Sequence, residues 1–514
     1  MATVMPARGL QTHWKKMRER IEVSMINNEE QRILCIKLAS IQKEEEACVN
    51  AMLNSKAYKI AYLLNRLDKE FVRGSKESRR EFINWLTKRK QGRDISDLHY
   101  VLRLKKALGE MRHEMSSAFS QYEDVSHSSE EQLKKEMSEI TLKKIHNIVS
   151  GYAGNKIVVF PDVVDWNIPL FQRPQQLAMA FAQEGYLFFY VTPNFQDGIK
   201  DLAKVQENCY LITKEFLMDV LDIAKAAGKE TIMEIYSTDN FHTLSEINQW
   251  KQHCGAILYE YIDEISDEIT GKVPELTIER HKAFLEDESV YVVATADKLY
   301  DEVVAVRGSN KRCLNSGNGV DCEHFTVEKS MDMIPEKLKP IIEKNKPIIG
   351  YFGAIANWFD FELIAYAARQ RPDYEFMMIG PHYSDHDLPI LNEIKNIPNL
   401  HFVGTVEYKI LPYVANYFTV ATIPFKINEI TESTSPIKLF EYMAMGKPCV
   451  TTAMRECFKY PVVKVAKGQE EYVACLDRAV EEAADDKCIE QLKCVAQKNS
   501  WREKAKEILR LVSE

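Results

Sequence analysis

From residue 156 onward the chain alternates between short runs that are apolar throughout and longer stretches with apolar residues every three or four positions. KIVVF (156–160), LFFYVT (187–192), CYLIT (209–213), TIMEIY (231–236), AILYEY (256–261) and VYVVAT (290–295) form one set. PIIGYF (347–352), EFMMIG (375–380), LHFVG (400–404), TVATIPF (419–425) and PCVTT (448–452) form a second. Strands with no polar alternation are buried on both faces, and strand–helix alternation places them in parallel sheets covered by helices. The predicted architecture is therefore α/β: two doubly wound, Rossmann-like domains facing a cleft, preceded by an α-helical N-terminal region. The expected boundaries are 1–150 for the helical region, 151–330 for the first Rossmann-like domain and 331–514 for the second, with a final helix and a linker around 326–346. In such sheets ligands bind at the carboxyl ends of the strands.

Residues 11–150 show almost no strand signal. Ile60, Leu64, Leu67 and Phe71 recur at helical spacing, ringed by Lys56, Lys59, Arg66, Lys69 and Arg73. Residues 1–150 hold 28 Lys+Arg against 21 Asp+Glu, whereas the rest of the chain holds 39 against 55. A basic helical block beside an acidic body suggests separate tasks. Three readings stand side by side: peripheral contact with an anionic membrane, homo-oligomerisation through a coiled coil, and a solvated basic face. Nucleic acid is not expected as a partner of an acidic chain. The eleven cysteines include no C-x-x-C pair, which points to free thiols in a reducing compartment. No apolar run approaches the ~20 residues of a membrane span. The expected location is cytoplasmic, with the inner face of the cell membrane as an option.

Candidate chemistry concentrates in TESTSPIKLFEYMAMGKPCVTT (431–452). Pro436 opens a helical run that ends at Gly446-Lys447-Pro448. Ser433, Thr434 and Ser435 offer hydroxyls and an N-cap. The helix start at Ser435, Pro436 and Ile437 favours a negative group such as a diphosphate, with Lys438 adding a point charge. One turn on, Glu441 can accept two hydrogen bonds from a ribose diol. In IGYFGAIANWFD (349–360), Gly350 and Gly353 let backbone approach a phosphate, and the amides from Gly353 and Ala354 would face it.

The 431–452 segment resembles the donor-binding motif of retaining, GT-B-fold glycosyltransferases of the family 4-like type, in particular bacterial cell-envelope polysaccharide enzymes with a PIKLFEY-like motif. That family commonly carries a Glu, seven residues, then a second Glu. The resemblance assigns the ribose contact to Glu441, whereas the first acid falls at Ser433, with Glu432 one place away. FQRPQQLAMAFAQEGYLFFYVTPN (171–194) is similar to the start of the same family's acceptor domain, which directs Arg173 into the cleft. LYEYIDEISD (258–267) resembles its strand-end acidic segment, with Asp263 as a sugar or acceptor contact. NGVDCEHF (318–325) resembles the stretch that enters the interdomain hinge. In GTVEYKILPYVAN (404–416), Val406 is the expected nucleobase contact. Asp385-His386-Asp387 spells D-x-D, yet the fold implied needs no metal, and no other spacing resembles a metal site.

The implied function is transfer of a sugar from a nucleotide-sugar donor, UDP- or GDP-linked and bound as substrate with no cofactor, to a hydroxyl of a glycan, lipid-linked or protein acceptor, with retention, in surface glycan or glycoconjugate synthesis. A nucleotide-sugar epimerase or phosphorylase on the same fold, and a non-catalytic scaffold of a glycan-assembly complex, are the alternatives.

Overall fold

The computed structural model describes residues 126–513, apart from 169–170, 242, 266–272 and 383–387. The expectations for the N-terminal 125 residues and for Asp385-His386-Asp387 lie outside the described residues. Contacts divide the chain into a unit ending at Glu139 and a unit from Ile140 to the C-terminus. The first is described only through the opening turns of the helix Ser126–Gly151. No described helix is long and apolar enough to cross a membrane.

The second unit carries two sheets, as the apolar runs predict. The first has eight strands: β1 (Lys156–Phe160), β2 (Leu187–Thr192), β3 (Leu202–Gln206), β4 (Cys209–Thr213), β5 (Glu230–Ile235), β6 (Ala256–Tyr261), β7 (Tyr291–Ala294) and β8 (Cys313–Asn315). Their order is β3-β4-β2-β1-β5-β6-β7-β8, and only the β3–β4 pair is antiparallel. The second sheet is entirely parallel, built from β9 (Ile348–Phe352), β10 (Glu375–Ile379), β11 (Leu400–Gly404), β12 (Val420–Ile423), β13 (Cys449–Thr452) and β14 (Lys464–Ala466) in the order β11-β10-β9-β12-β13-β14. The central strands are buried along their whole length because helices cover both faces. Each sheet reverses direction once, between β1 and β5 and between β9 and β12. The loops leaving the two strands of such a pair diverge and open a crevice at their carboxyl ends.

Three strands escaped the hydrophobic pattern: β3, β8 and β14. All lie at sheet edges, and two are only three residues long. An edge strand needs no continuous apolar run, so LAKVQ in β3 is half-exposed and mixed in polarity.

The last helix, Trp501–Leu511, departs from the boundary expected at 331–514. It packs on the first sheet, where Trp501, Ala505, Ile508 and Leu509 share a core with Val158, Phe160, Leu177 and Phe181. The physical reason is its apolar stripe, which finds an uncovered face beside the helix Arg173–Gln183. The chain therefore crosses between the lobes twice. The crossings run side by side: the Val320 amide donates to Asn499 O (3.1 Å), and the Trp501 amide donates to Val320 O (3.1 Å). Gly319 makes this approach possible, since a Cβ there would sit 2.8 Å from Asn499 O.

A second close approach forms the crevice of the second sheet. Gly380, at φ +149°, lies so close to Gly353 that a Cβ would fall 1.8 Å from Gly353 O. Gly380→Ala should therefore cost at least about 2 kcal/mol through overpacking and backbone strain. Urea unfolding checks this, and an unchanged midpoint would show that the two strand ends can move apart freely.

Candidate functional site

The helix Ile437–Ala444 starts at the β9/β12 crevice. Its N-cap is Pro436, which has no side-chain acceptor to offer. The Leu439 amide turns back to Pro436 O (3.1 Å), and among the described residues the Ile437 and Lys438 amides have no acceptor. The helix stops in a Schellman motif: Gly446, at φ +66°, donates to Met443 O, and Lys447 donates to Tyr442 O. A short helix is thus fixed at both ends with its electropositive terminus aimed at the crevice.

Lys438 sits in the first turn. Its Nζ lies 5.7 Å from the centroid of Tyr351, on β9, and 5.2 Å from that of Phe425, just past β12. No hydrogen bond or ion pair among the described residues occupies this ammonium. Gly353 makes room for it, because a Cβ there would meet Lys438 Cε at 2.6 Å. Burial lowers the ammonium's pKa, and Glu441 partly restores it. Glu441 lies three positions on, on the same helix face, and is 7% exposed. No described donor satisfies its carboxylate. Burial raises that carboxyl to about 7, with Lys438 opposing the shift. The crevice thus holds a recessed cation, two open amides and an unsatisfied acid. The Ala354 carbonyl takes the Tyr351 hydroxyl (2.6 Å), which fixes the loop after β9.

The hydroxyls of 431–435 do other work than the sequence suggested. The short helix Glu429–Glu432 is capped by Asn428 and Thr431. Ser433, 1% exposed, has Oγ within reach of Glu429 O (2.9 Å), Ile430 O (3.0 Å) and Glu264 Oε2 of the first lobe (3.0 Å). Thr434 bonds Ile430 O at 2.7 Å. These groups close the preceding helix and do not cap the next one. The Glu432 carboxylate ends the short helix without a described partner. Ser435 Oγ accepts the Asn318 amide (3.1 Å), while Asn318 Nδ2 donates to Ser435 O (2.6 Å). Ser435 therefore ties the start of this helix to the hinge. Ile437 packs its side chain against the first lobe's core.

Arg173 also departs from expectation. It is 2% exposed and does not reach into open cleft. It forms a two-pronged ion pair with Glu260, donates to Gly317 O (3.0 Å) and to Asn318 Oδ1 (3.4 Å), and lies over the Trp501 ring. Its donors are shared between the end of β6 and the hinge. Behind the pair lies Glu234, fully buried with neither oxygen hydrogen-bonded among the described residues. Asp263, two residues past β6, is exposed at the carboxyl edge of the first sheet, and desolvation by the surrounding protein raises its carboxyl above the ordinary range.

Val406 is 8% exposed, with its side chain in the second lobe's core. The aromatic that reaches the interlobe space is Tyr408, two positions on. It stacks on His324 (centroids 4.3 Å apart, 12° between planes) and accepts from Gln176 Nε2 at 3.3 Å. The Val406 side chain is thus turned into the core, which leaves its backbone for the expected nucleobase contact, and Tyr408 is the side chain of this loop that the sequence did not single out. Glu264 and Asn318 lie inside the segments LYEYIDEISD and NGVDCEHF but are given no role by them, and Glu234 has no local motif.

Across from the hinge a row of charges joins the lobes. The Asp297 amide donates to Glu456 Oε1 (2.8 Å), Lys459 pairs with Asp297 (2.5 Å) and Arg455 pairs with Asp301 (2.8 Å).

Residues 346–486 match the family model described as Glycosyl transferases group 1. A Bacillus subtilis (strain 168) protein named as a teichuronic acid biosynthesis glycosyltransferase, TuaH, is 25% identical over 298 residues, which cover 55% of this chain and 72% of that one. Among solved structures, sucrose-phosphate synthase from Thermosynechococcus elongatus matches with a TM-score of 0.52 and 16% identity, over 70% of this chain and 98% of that one. HepE from Anabaena, in complex with UDP, matches with a TM-score of 0.51 and 12% identity, over 70% and 99%. The two structural matches are likenesses of fold.

Burial, then the nearby Glu260 charge, pushes the Glu234 carboxyl well above its usual range, and Arg173 only partly opposes this. Such a group lends stability that is fully present below its unfolded value, near ~4.3, and that declines by up to about 1.4 kcal/mol per pH unit as pH climbs toward its folded value. Glu234→Gln keeps the shape and cannot ionise, so its stability should gain on wild type between pH 5 and 8. Urea unfolding across that window checks the point, and a constant difference would mean that Glu234 is charged in the folded protein.

Proposed function

We propose that this chain, a GT-B-fold glycosyltransferase of group 1, holds the diphosphate of its nucleotide-sugar donor at the β9/β12 crevice and transfers the sugar to an acceptor seated on the first lobe. The observation that carries this reading is the unpaired Lys438 ammonium at the start of the helix Ile437–Ala444, with Glu441 one turn behind it.

The division of labour follows from the chemistry. As the bond between the anomeric carbon and the diphosphate oxygen breaks, negative charge gathers on the leaving group. Lys438 and the open Ile437 and Lys438 amides are aimed where that charge would develop. The same groups, the amide of Ala354 and the room left by Gly353 would hold the diphosphate. Glu441 is suited to take two ribose hydroxyls, since an ionised carboxylate is a pure acceptor. The Tyr408 loop lies where a nucleobase would extend from that ribose. Asp263, past the end of β6, is the acid that would serve the acceptor. With the lobes closed, water would be displaced from the reacting carbon, which matters because hydrolysis is the competing reaction.

The UDP in the HepE complex supports a uridine nucleotide as the first donor to test. The name of the TuaH relative supports a cell-envelope polysaccharide, or its lipid-linked precursor, as the acceptor class. The resemblance at PIKLFEY favours retention of anomeric configuration.

Thermal-shift measurements against UDP, GDP, ADP and their sugar conjugates test the reading. One nucleotide class should raise the melting temperature, and Glu441→Ala or Lys438→Met should abolish that shift. A shift that survives both substitutions would move the donor elsewhere. The pH dependence has a definite sign. Glu441 has a raised carboxyl, near 7, so it is protonated below that pH and loses its power to accept two hydroxyls. Affinity for a nucleotide sugar, whose diphosphate does not titrate there, should hold above about pH 7 and weaken by up to about tenfold per unit below it. Calorimetric titration of wild type and Glu441→Gln checks this. The glutamine variant should bind weakly with a flat profile, and a wild-type profile equally flat counts against the assignment.

A further inference from the structure

We infer that Glu264, a first-lobe residue, supplies the carboxylate that faces the transferred sugar, and that it is held in place by Ser433 of the second lobe and by Lys298. The inference rests on the donor site proposed above and deepens it.

Glu264 lies three residues beyond β6, at the carboxyl edge of the first sheet. Its Oε2 is doubly anchored. Lys298 Nζ donates to it at 2.6 Å, and Ser433 Oγ lies 3.0 Å away. No donor among the described residues takes its Oε1. One oxygen is thus fixed and the other left open, on a side chain 22% exposed. Ser433 stands three residues before Pro436, the N-cap of the helix bearing Lys438 and Glu441. The acid therefore touches the second lobe within one loop of the proposed diphosphate cradle, although it belongs to the opposite sheet.

The chemistry gives that oxygen a use. When the bond between the anomeric carbon and the diphosphate breaks, its electron pair leaves with the diphosphate and positive charge builds on the sugar ring. Lys438 and the helix amides serve the leaving side. A carboxylate on the other side would stabilise the ring until the acceptor oxygen bonds to the anomeric carbon and gives up its proton to solvent. At Ser433 the second lobe has a hydroxyl in place of an acid, and it has no carboxylate of its own at that position. Since Ser433 supplies one of its two anchors, the carboxylate is doubly held only when the lobes are together. Closure would then complete the site instead of merely covering it.

The test compares wild type with Glu264→Gln. Glutamine keeps the volume and can still accept from Ser433, but carries no charge. Two quantities are measured: affinity for UDP or GDP, whichever the panel selects, and release of that diphosphate from its nucleotide sugar with water as acceptor. In this reaction water oxygen bonds to the anomeric carbon and its proton passes to solvent. We expect kcat to fall roughly 10²-fold while nucleotide affinity stays within about twofold. The unchanged affinity also certifies that the variant is folded. A second variant, Lys298→Met, removes one anchor and should lower kcat by a smaller factor in the same direction. Full kcat in Glu264→Gln would overturn the inference. So would a loss of nucleotide affinity as large as the loss of rate, which would make Glu264 a structural tie alone. Wild type that turned over none of the panel would sink the transfer reading itself, and this one with it.

Discussion

The points where the chain leaves the first lobe and returns to it are tied together by one buried cation. Arg173 has almost no contact with water, and removing a guanidinium from water is costly unless its donors are all satisfied. Glu260 takes two of them, Gly317 O and Asn318 take others, and the Trp501 face covers the plane. These partners come from a strand end, from the hinge and from the returning C-terminal helix. Only one arrangement of the three satisfies the cation, so the place where the chain leaves the first lobe and the place where it comes back are fixed relative to each other. Glu234 shows what the cluster does to a neighbour. A second acid sits beside the pair, and burial together with the Glu260 charge pushes its carboxyl well above the usual range.

The crevice uses the same physics in the opposite sense. Lys438 is recessed over two aromatic rings and Glu441 is recessed one turn away, yet neither has a hydrogen-bond or ion-pair partner among the described residues. The hinge is saturated and rigid. The crevice is left short of a diphosphate's charge and of a sugar's hydroxyls. Glycine pairs at the strand ends bring this about, because side chains there would fill the space and hold β9 and β10 apart. Order at the back of the cleft and deficit at its mouth are complementary requirements for a site that must bind an anion and then release it.

The strands of the two central sheets were legible in the sequence because a fully buried parallel strand has no polar positions to confuse the pattern. KIVVF and LHFVG match β1 and β11 at both ends. The Lys438–Glu441 pairing was legible for a similar reason: it sits within one helical turn, so spacing alone predicts a shared face. What stayed hidden was set by contacts distant in sequence. Arg173 was expected in the cleft, but its orientation depends on Glu260 and on Gly317, 87 and 144 positions away. Ser435 is a plausible cap until Asn318 takes its oxygen. Ser433 reads as a missing acid until Glu264 arrives from the other sheet. Val406 and Tyr408 differ by two positions in an irregular loop, where no periodicity says which side chain turns inward. The final helix was assigned by adjacency in the chain, while its apolar stripe followed the larger uncovered surface.

The paired crossings at Val320 and Ser500 bear on how such a molecule can be assembled and altered. Everything between them leaves the first lobe and re-enters it at adjacent points of the backbone, held by the reciprocal bonds of Val320 with Asn499 and Trp501. In topological terms the nucleotide-facing lobe is an insertion in the other, joined by two neighbouring stems. A segment with its ends so close can be exchanged for another of the same stem spacing without rethreading the first sheet. Donor chemistry and acceptor chemistry can then diverge separately in one continuous chain.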